Sequence, residues 1–143
     1  MTDAKILLVD DEEDFVSALS ERLESRGMKV DTADNGIDAI EKADQMHFDA
    51  IILDIQMPGL DGIETLKKLH EKNPDLQIIL LTGHATLEKG IEAMKLGAMD
   101  FLEKPADIEK LMNQIKEART NKLLLTEKRM EEELEKILKS KSW

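Results

Sequence analysis

Residues 51–55 read Ile-Ile-Leu-Asp-Ile, a short apolar run without the alternation of a one-sided strand. Such a run suits a strand buried on both faces of a parallel sheet. It carries a carboxylate, Asp54, to the strand's carboxyl end, where ligands bind in open α/β sheets. Met57-Pro58-Gly59 and Asp61-Gly62 follow and demand a turn, because Pro fixes φ and Gly admits positive φ.

The remaining segments repeat this pattern. Lys5–Val9 is a first strand, ending directly in Asp10-Asp11, and Met28–Thr32 a second. Leu76–Thr82 is a fourth and ends in Thr82-Gly83-His84; Ala98–Glu103 is a fifth and ends in Lys104-Pro105. Helical periodicity lies between them: Phe15, Leu19 and Leu23; Ile37, Ile40 and Ala43; Ile63, Leu66 and Leu69; Leu87, Ile91 and Met94. A last, long helical pattern runs from about Asp107 towards Leu138. Strands alternating with helices imply right-handed crossovers and a parallel sheet covered on both faces. Five such units predict a flavodoxin-like, doubly wound (βα)5 sheet of order 2-1-3-4-5, with Asp10, Asp11 and Asp54 at the crevice between the first and third strands.

Composition removes several classes of function. No run is long enough for a membrane span and the first residues do not resemble a signal peptide, so a cytoplasmic location is expected. The absence of cysteine excludes disulfides and thiolate metal sites. Residues 1–105 hold 23 of the 31 acidic residues but only 11 of the 20 basic ones, which argues against direct nucleic-acid binding and suits a cation. Three carboxylates brought together repel one another unless a cation or protons compensate. Mg²⁺, a hard ion that accepts a few carboxylates and phosphate oxygens, is the natural occupant. An aspartate beside it can act as a nucleophile toward phosphorus. Lys104 and Thr82, at neighbouring strand ends, are placed to bind the phosphoryl oxygens. Each feature alone is commonplace; their joint placement at carboxyl ends of strands is not.

Leu7–Glu12, Leu53–Gly62, Leu81–His84 and Asp100–Pro105 together resemble the receiver domain of two-component response regulators, in that family's order and spacing over nearly all of residues 4–105. The resemblance implies that Asp54 accepts a phosphoryl group from a sensor histidine kinase. It implies that Asp11, Asp54 and the backbone carbonyl of Gln56 ligate Mg²⁺ directly, with Asp10 acting largely through water. It further implies that Lys104 pairs with the phosphoryl oxygens, that Lys104-Pro105 is cis, and that Thr82 and Phe101 form the conformational switch. Gln56 and His84 would tune the lifetime of the phosphoryl group. The segment from Thr82 to Gly97 is most similar to receivers of sigma-54-dependent transcriptional activators. His47 and His70 are expected at the surface.

Residues 1–120 are read as the receiver and 121–143 as a helical linker or coiled-coil extension. Leu123-Leu124-Leu125, Met130, Leu134, Ile137 and Leu138 recur at helical spacing, with a slip of register near 120–125. Exposed apolar residues on this scale call for a partner, and a homodimer is expected through this helix, through the face of helix 4, strand 5 and helix 5, or through both. Ile91, Met94, Lys95, Phe101 and Leu111 are the expected members of that face. Three alternatives compete with the phosphorylation switch on an output domain. One is a single-domain regulator that signals by protein contact, and another is a coiled-coil dimer with an inert receiver. The third is an Mg²⁺-dependent phosphohydrolase of the haloacid-dehalogenase type, disfavoured because Gln56 stands where its acid/base Asp belongs.

Overall fold

The computed structural model describes residues 3–57, 59, 61–83 and 87–141. Five strands, β1 (Lys5–Val9), β2 (Lys29–Ala33), β3 (Ala50–Leu53), β4 (Ile78–Thr82) and β5 (Asp100–Glu103), form one parallel sheet of order β2-β1-β3-β4-β5. The helices α1 (Glu13–Glu24), α2 (Gly36–Gln45), α3 (Gly62–Lys72), α4 (Leu87–Lys95) and α5 (Ile108–Ser140) alternate with them. The sequence reading of class and strand order holds. β3 and β4 are buried along their whole length, which explains why neither shows alternation.

The sheet separates two apolar cores. Leu7, Ile51, Leu53, Ile78 and Leu80 point to one side, against α2, α3 and Ala93 of α4. Ile6, Leu8, Ile52, Ile79 and Leu81 point to the other, against Leu19 and Leu23 of α1 and Leu111, Ile115 and Ala118 of α5. At about 25 cal/mol per Å² of apolar surface removed from water, these two layers are the main source of stability. Asn35, Asp61 and Asp107 cap α2, α3 and α5, each accepting from backbone N–H groups that lack partners in the first turn.

The sequence misplaces two helix faces. On α2, Ile37 is exposed while Ala39 is fully buried; Ile40 and Ala43 pack as expected. On α4, Ile91 and Met94 are nearly half exposed and Ala93 is buried; the Leu87 side chain lies outside the described residues. The small side chain of Ala93 is what α4 sets into the core, while a Cβ on Gly90 would make only an ordinary 3.6 Å contact with the Phe101 ring. Periodicity ranks residues by hydrophobicity, whereas close approach selects small ones.

Two further expectations change. Gly59 has φ +78°, as its turn requires, but Gly62 has no positive φ. A Cβ at Gly62 would fall 2.1 Å from the Asp54 carbonyl oxygen, so glycine is needed there for close approach. His47 is exposed, but His70 is largely buried; its Nδ1 is buried without a hydrogen-bond partner among the described residues, and a Cβ on Gly97 would meet it at 2.5 Å.

α5 is one unbroken helix through the region of the register slip. Beyond residue 120 it still touches the domain. Asn121 Nδ2 donates to Gln77 Oε1 (3.3 Å), Lys122 Nζ to the Phe48 carbonyl (2.8 Å), and Arg129 pairs with Asp75 (2.8 Å). No helix among the described residues is long and apolar enough to cross a membrane.

Candidate functional site: an acidic pocket at the carboxyl edge of the sheet

β1 and β3 run side by side, so the residues that follow them, Asp10 and Asp54, emerge together. Both are buried. β5 brings Lys104 to the same edge across a Lys104-Pro105 peptide that is cis, as expected. The Lys104 ammonium lies 2.7 Å from Asp10 Oδ2, 3.0 Å from Glu12 Oε1 and 3.6 Å from Asp54 Oδ2, and 4.2 Å from the centre of the Phe15 ring. Carboxylate oxygens of Asp10, Glu12 and Asp54 lie within 4.8 Å of one another.

Local backbone chemistry holds these groups in place. Asp10 Oδ1 accepts from the Glu12 N–H (2.9 Å), leaving Oδ2 for Lys104. Glu12 is the N-cap of α1, yet it makes no side-chain cap bond; its carboxylate goes to Lys104 instead. Asp54 Oδ1 accepts from the Gln56 N–H (3.3 Å). Thr82 is fully buried at the end of β4, and its side chain acts on the Asp54 carboxylate to favour the charged form.

Three carboxylates share one ammonium, and the imbalance shows at Asp54. Burial, and then the negative charge of Asp10, push Asp54 above the usual carboxylate range despite the opposing pull of Lys104, Gln56 and Thr82. Burial alone would lower Lys104, but its bonds to Asp10 and Glu12 and the field of Asp54 hold it above its ordinary value. Lys104 therefore stays charged at neutral pH, and the pocket remains short of positive charge. A set of hard oxygen donors with this deficit fits a divalent cation such as Mg²⁺.

Comparisons with known proteins agree with this geometry. Residues 6–116 match the response regulator receiver domain family. The chain belongs to that family. It is 39% identical over 113 residues to the transcriptional regulatory protein ZraR of Klebsiella oxytoca, covering 79% of this chain and 26% of that protein. It is 38% identical over 127 residues to the C4-dicarboxylate transport transcriptional regulatory protein DctD of Pseudomonas aeruginosa, covering 87% and 27%. The chain thus spans about a quarter of the length of these curated relatives. Among solved structures, the response regulator TrrA of Thermotoga maritima in complex with Mg²⁺-BeF superposes with a TM-score of 0.74 at 33% identity, covering 80% of this chain and 98% of that one.

Within this receiver, Asp10, Asp54, Thr82 and Lys104 come together. Asp11 is exposed and stands outside the group, although the resemblance ranks it as a direct metal ligand and Asp10 as an outer one. Glu12, which sequence reasoning missed, stands inside the group. The run Asp10-Asp11-Glu12 held that signal, but which of three adjacent acids turns inward depends on how α1 begins. The Gln56 side chain is exposed, and His84 lies outside the described residues. Phe101 is partly buried beneath Gly90 of α4. Ile91 and Met94 of the expected relay face are indeed at the surface. Leu111 is not: it is fully buried against the sheet and cannot join that face.

Proposed function

We propose that this receiver takes a phosphoryl group on Asp54 from the phosphohistidine of a sensor histidine kinase and, once phosphorylated, switches an output in a two-component pathway. The observation that carries the proposal is the convergence of buried Asp54, Asp10 and Thr82 with Lys104, and with Glu12 at the exposed rim, in one acid-rich pocket. An Asp54 oxygen attacks phosphorus, the new O–P bond replaces the N–P bond, and the imidazole leaves with the electron pair. Lys104, held charged within reach of Asp54, neutralises the transferred oxygens. The Thr82 hydroxyl, at the neighbouring strand end, would turn to one of those oxygens.

Mg²⁺ would be held by Asp54, Asp11 and the Gln56 carbonyl, with Asp10 through water and Glu12 at the rim. When bound, it would offset the repulsion between these carboxylates and the incoming phosphoryl group. Beyond its own phosphorylation and dephosphorylation the receiver catalyses nothing. Gln56 and His84, two residues beyond Asp54 and Thr82 in the chain, would tune the lifetime of the phosphoryl group.

Phosphorylation replaces one negative charge with about −1.5 to −2 and adds acceptor oxygens. Movement of Thr82 toward them frees space into which Phe101 turns, and the surface above, which includes Ile91 and Met94, changes with it. Residues 121–143 carry that change onward as a helical extension, and homodimerisation through this helix is part of the proposal. The likeness to ZraR and DctD supports an output in transcription, exerted by parts of a longer protein or by a separate partner.

Incubation with a small-molecule acyl phosphate and Mg²⁺, read by intact mass, tests the central step. The wild-type chain gains one phosphoryl group that hydroxylamine removes, and Asp54→Asn gains none. Equal uptake by Asp54→Asn would refute the assignment.

A further inference from the structure

We propose that Phe15 is a positioning residue for phosphoryl transfer: the face of its ring seats the Lys104 ammonium and keeps it within reach of Asp54. This rests on the reading of Asp54 as the phosphoacceptor and adds a residue that the reading does not use.

The Lys104 backbone is fixed, its N–H donating to the Thr82 carbonyl (2.8 Å), and its stem runs beside Gly83, where a Cβ would stand 3.9 Å from Lys104 Cδ. The part free to wander is the ammonium, a strongly hydrated point charge on a flexible stem. The side chain is only 11% exposed, so the protein must replace most of the water that the charge has lost. Asp10 and Glu12 do so at 2.7 and 3.0 Å. Phe15 does so with a ring whose centre lies 4.2 Å away, well inside the roughly 6 Å over which a ring quadrupole attracts a cation.

The place of Phe15 in α1 separates this role from simple packing. It opens the apolar stripe Phe15, Leu19, Leu23, and the two leucines are buried in the core between the sheet and α5. Phe15 is only partly buried, packed against that core at the end of the helix nearest the acidic pocket. An aliphatic residue would complete such packing, and the stripes of the other helices are built from Leu, Ile, Met and Ala. What an aliphatic residue lacks is the negative face of a ring. Phe15 also follows Glu12, the N-cap of α1, by three residues. The same turn thus offers Lys104 a carboxylate at the rim and a ring against the core.

The ring and the carboxylates differ in what they do to an incoming phosphoryl group. Asp10 and Glu12 hold the ammonium, but each repels a second anion, and each is an oxygen donor that a divalent cation would draw on. The ring carries no net charge and offers no oxygen. It holds the ammonium while adding nothing to the excess of negative charge beside Asp54, and it keeps doing so when the carboxylates change partners.

Fluorination withdraws electron density from a ring face while nearly preserving its shape, so mono-, di- and trifluorinated phenylalanine at position 15 of the full chain separates seating from packing. Phosphoryl uptake from an acyl phosphate in Mg²⁺, read by intact mass, should slow at each step, by about fivefold across the series. In a Lys104→Met background, followed over longer incubation, the same series should be flat, because the partner of the ring is gone. In the unphosphorylated, metal-free chain, the ring current should shift the Lys104 ε-methylene protons upfield, and Phe15→Leu should abolish that shift. Equal rates across the series with Lys104 intact, or an equal decline in Lys104→Met, would overturn the role. An unshifted ε-methylene would overturn the seat itself. A shifted methylene with no uptake by the wild-type chain would overturn the reading of Asp54 and this role with it, whereas normal uptake with a flat series would overturn the role alone.

Discussion

Replacing Gly62 with alanine tests whether the turn after β3 is a steric device for the reactive carboxylate. The added Cβ would lie 2.1 Å from the Asp54 carbonyl oxygen, 2.4 Å from the Ile55 Cα and 2.8 Å from the Asp54 carbonyl carbon. Cβ contacts under 3.0 Å essentially never occur, so α3 and the Asp54 backbone must part by roughly 0.9 Å or more. All three obstructing atoms are backbone, so no flexible side chain can yield. Overpacking costs about 1–3 kcal/mol, and a backbone-on-backbone clash belongs at the upper end. For a chain of this size, about 3 kcal/mol lowers Tm by about 10 °C. The Gly62 N–H to Ile55 carbonyl bond (2.8 Å) should loosen, and Asp54 should leave its position beside Lys104. Since a misplacement of about 1 Å can cost about a hundredfold in rate, phosphoryl uptake should fall at least tenfold. Gly59→Ala is the control. It has positive φ but nothing within 4 Å of the added methyl, so it should lose about 1 kcal/mol of stability and keep its uptake rate. A Gly62→Ala chain that melts within about 1 °C of wild type and takes up phosphoryl groups normally would refute the steric reading.

Other expectations follow from the same geometry. Because burial and Asp10 raise the folded-state pKa of Asp54, its charge destabilises the native chain above that pKa, and the penalty disappears as pH falls through it toward the ordinary value of 3.8. Without divalent cation, Asp54→Asn should therefore melt about 3–5 °C higher at pH 7.5, with a gap that closes on acidification; a gap that widened would contradict the sign. Added Mg²⁺ should raise the wild-type Tm and leave Asp54→Asn nearly unchanged. Asp11→Asn should weaken Mg²⁺ binding more than tenfold and Glu12→Gln less than about threefold, read by fluorescence of an added aromatic probe or by calorimetry; the reverse ranking would make Glu12 the direct ligand. Leu111→Ala should cost about 2–5 kcal/mol, whereas Leu138→Ala at an exposed position should cost under about 0.5 kcal/mol in chemical denaturation.

The chain by itself determined the class of fold and the order of the sheet. Unalternating apolar runs such as Ile51–Leu53 and Ile78–Leu81 can be satisfied only by a sheet covered on both faces. Chemistry-bearing residues placed directly after such runs, Asp10, Asp54 and Lys104, had to gather at the carboxyl edge once the strands were parallel. What local pattern could not reach was anything decided by how closely two elements approach. Ala93 rather than Ile91 is the buried residue of α4, and Gly62 is needed for clearance rather than for φ. Glu12 rather than Asp11 reaches Lys104, because the start of α1 carries the Glu12 carboxylate across the pocket's exposed rim and leaves Asp11 outside the group. Leu111 is core rather than surface because α5 lies flat on the sheet there, and Met130 and Leu134 are exposed because the same helix has by then run past it. Sequence periodicity records that a helix has an apolar face, while only the packing of the whole chain settles which part of that face is already covered.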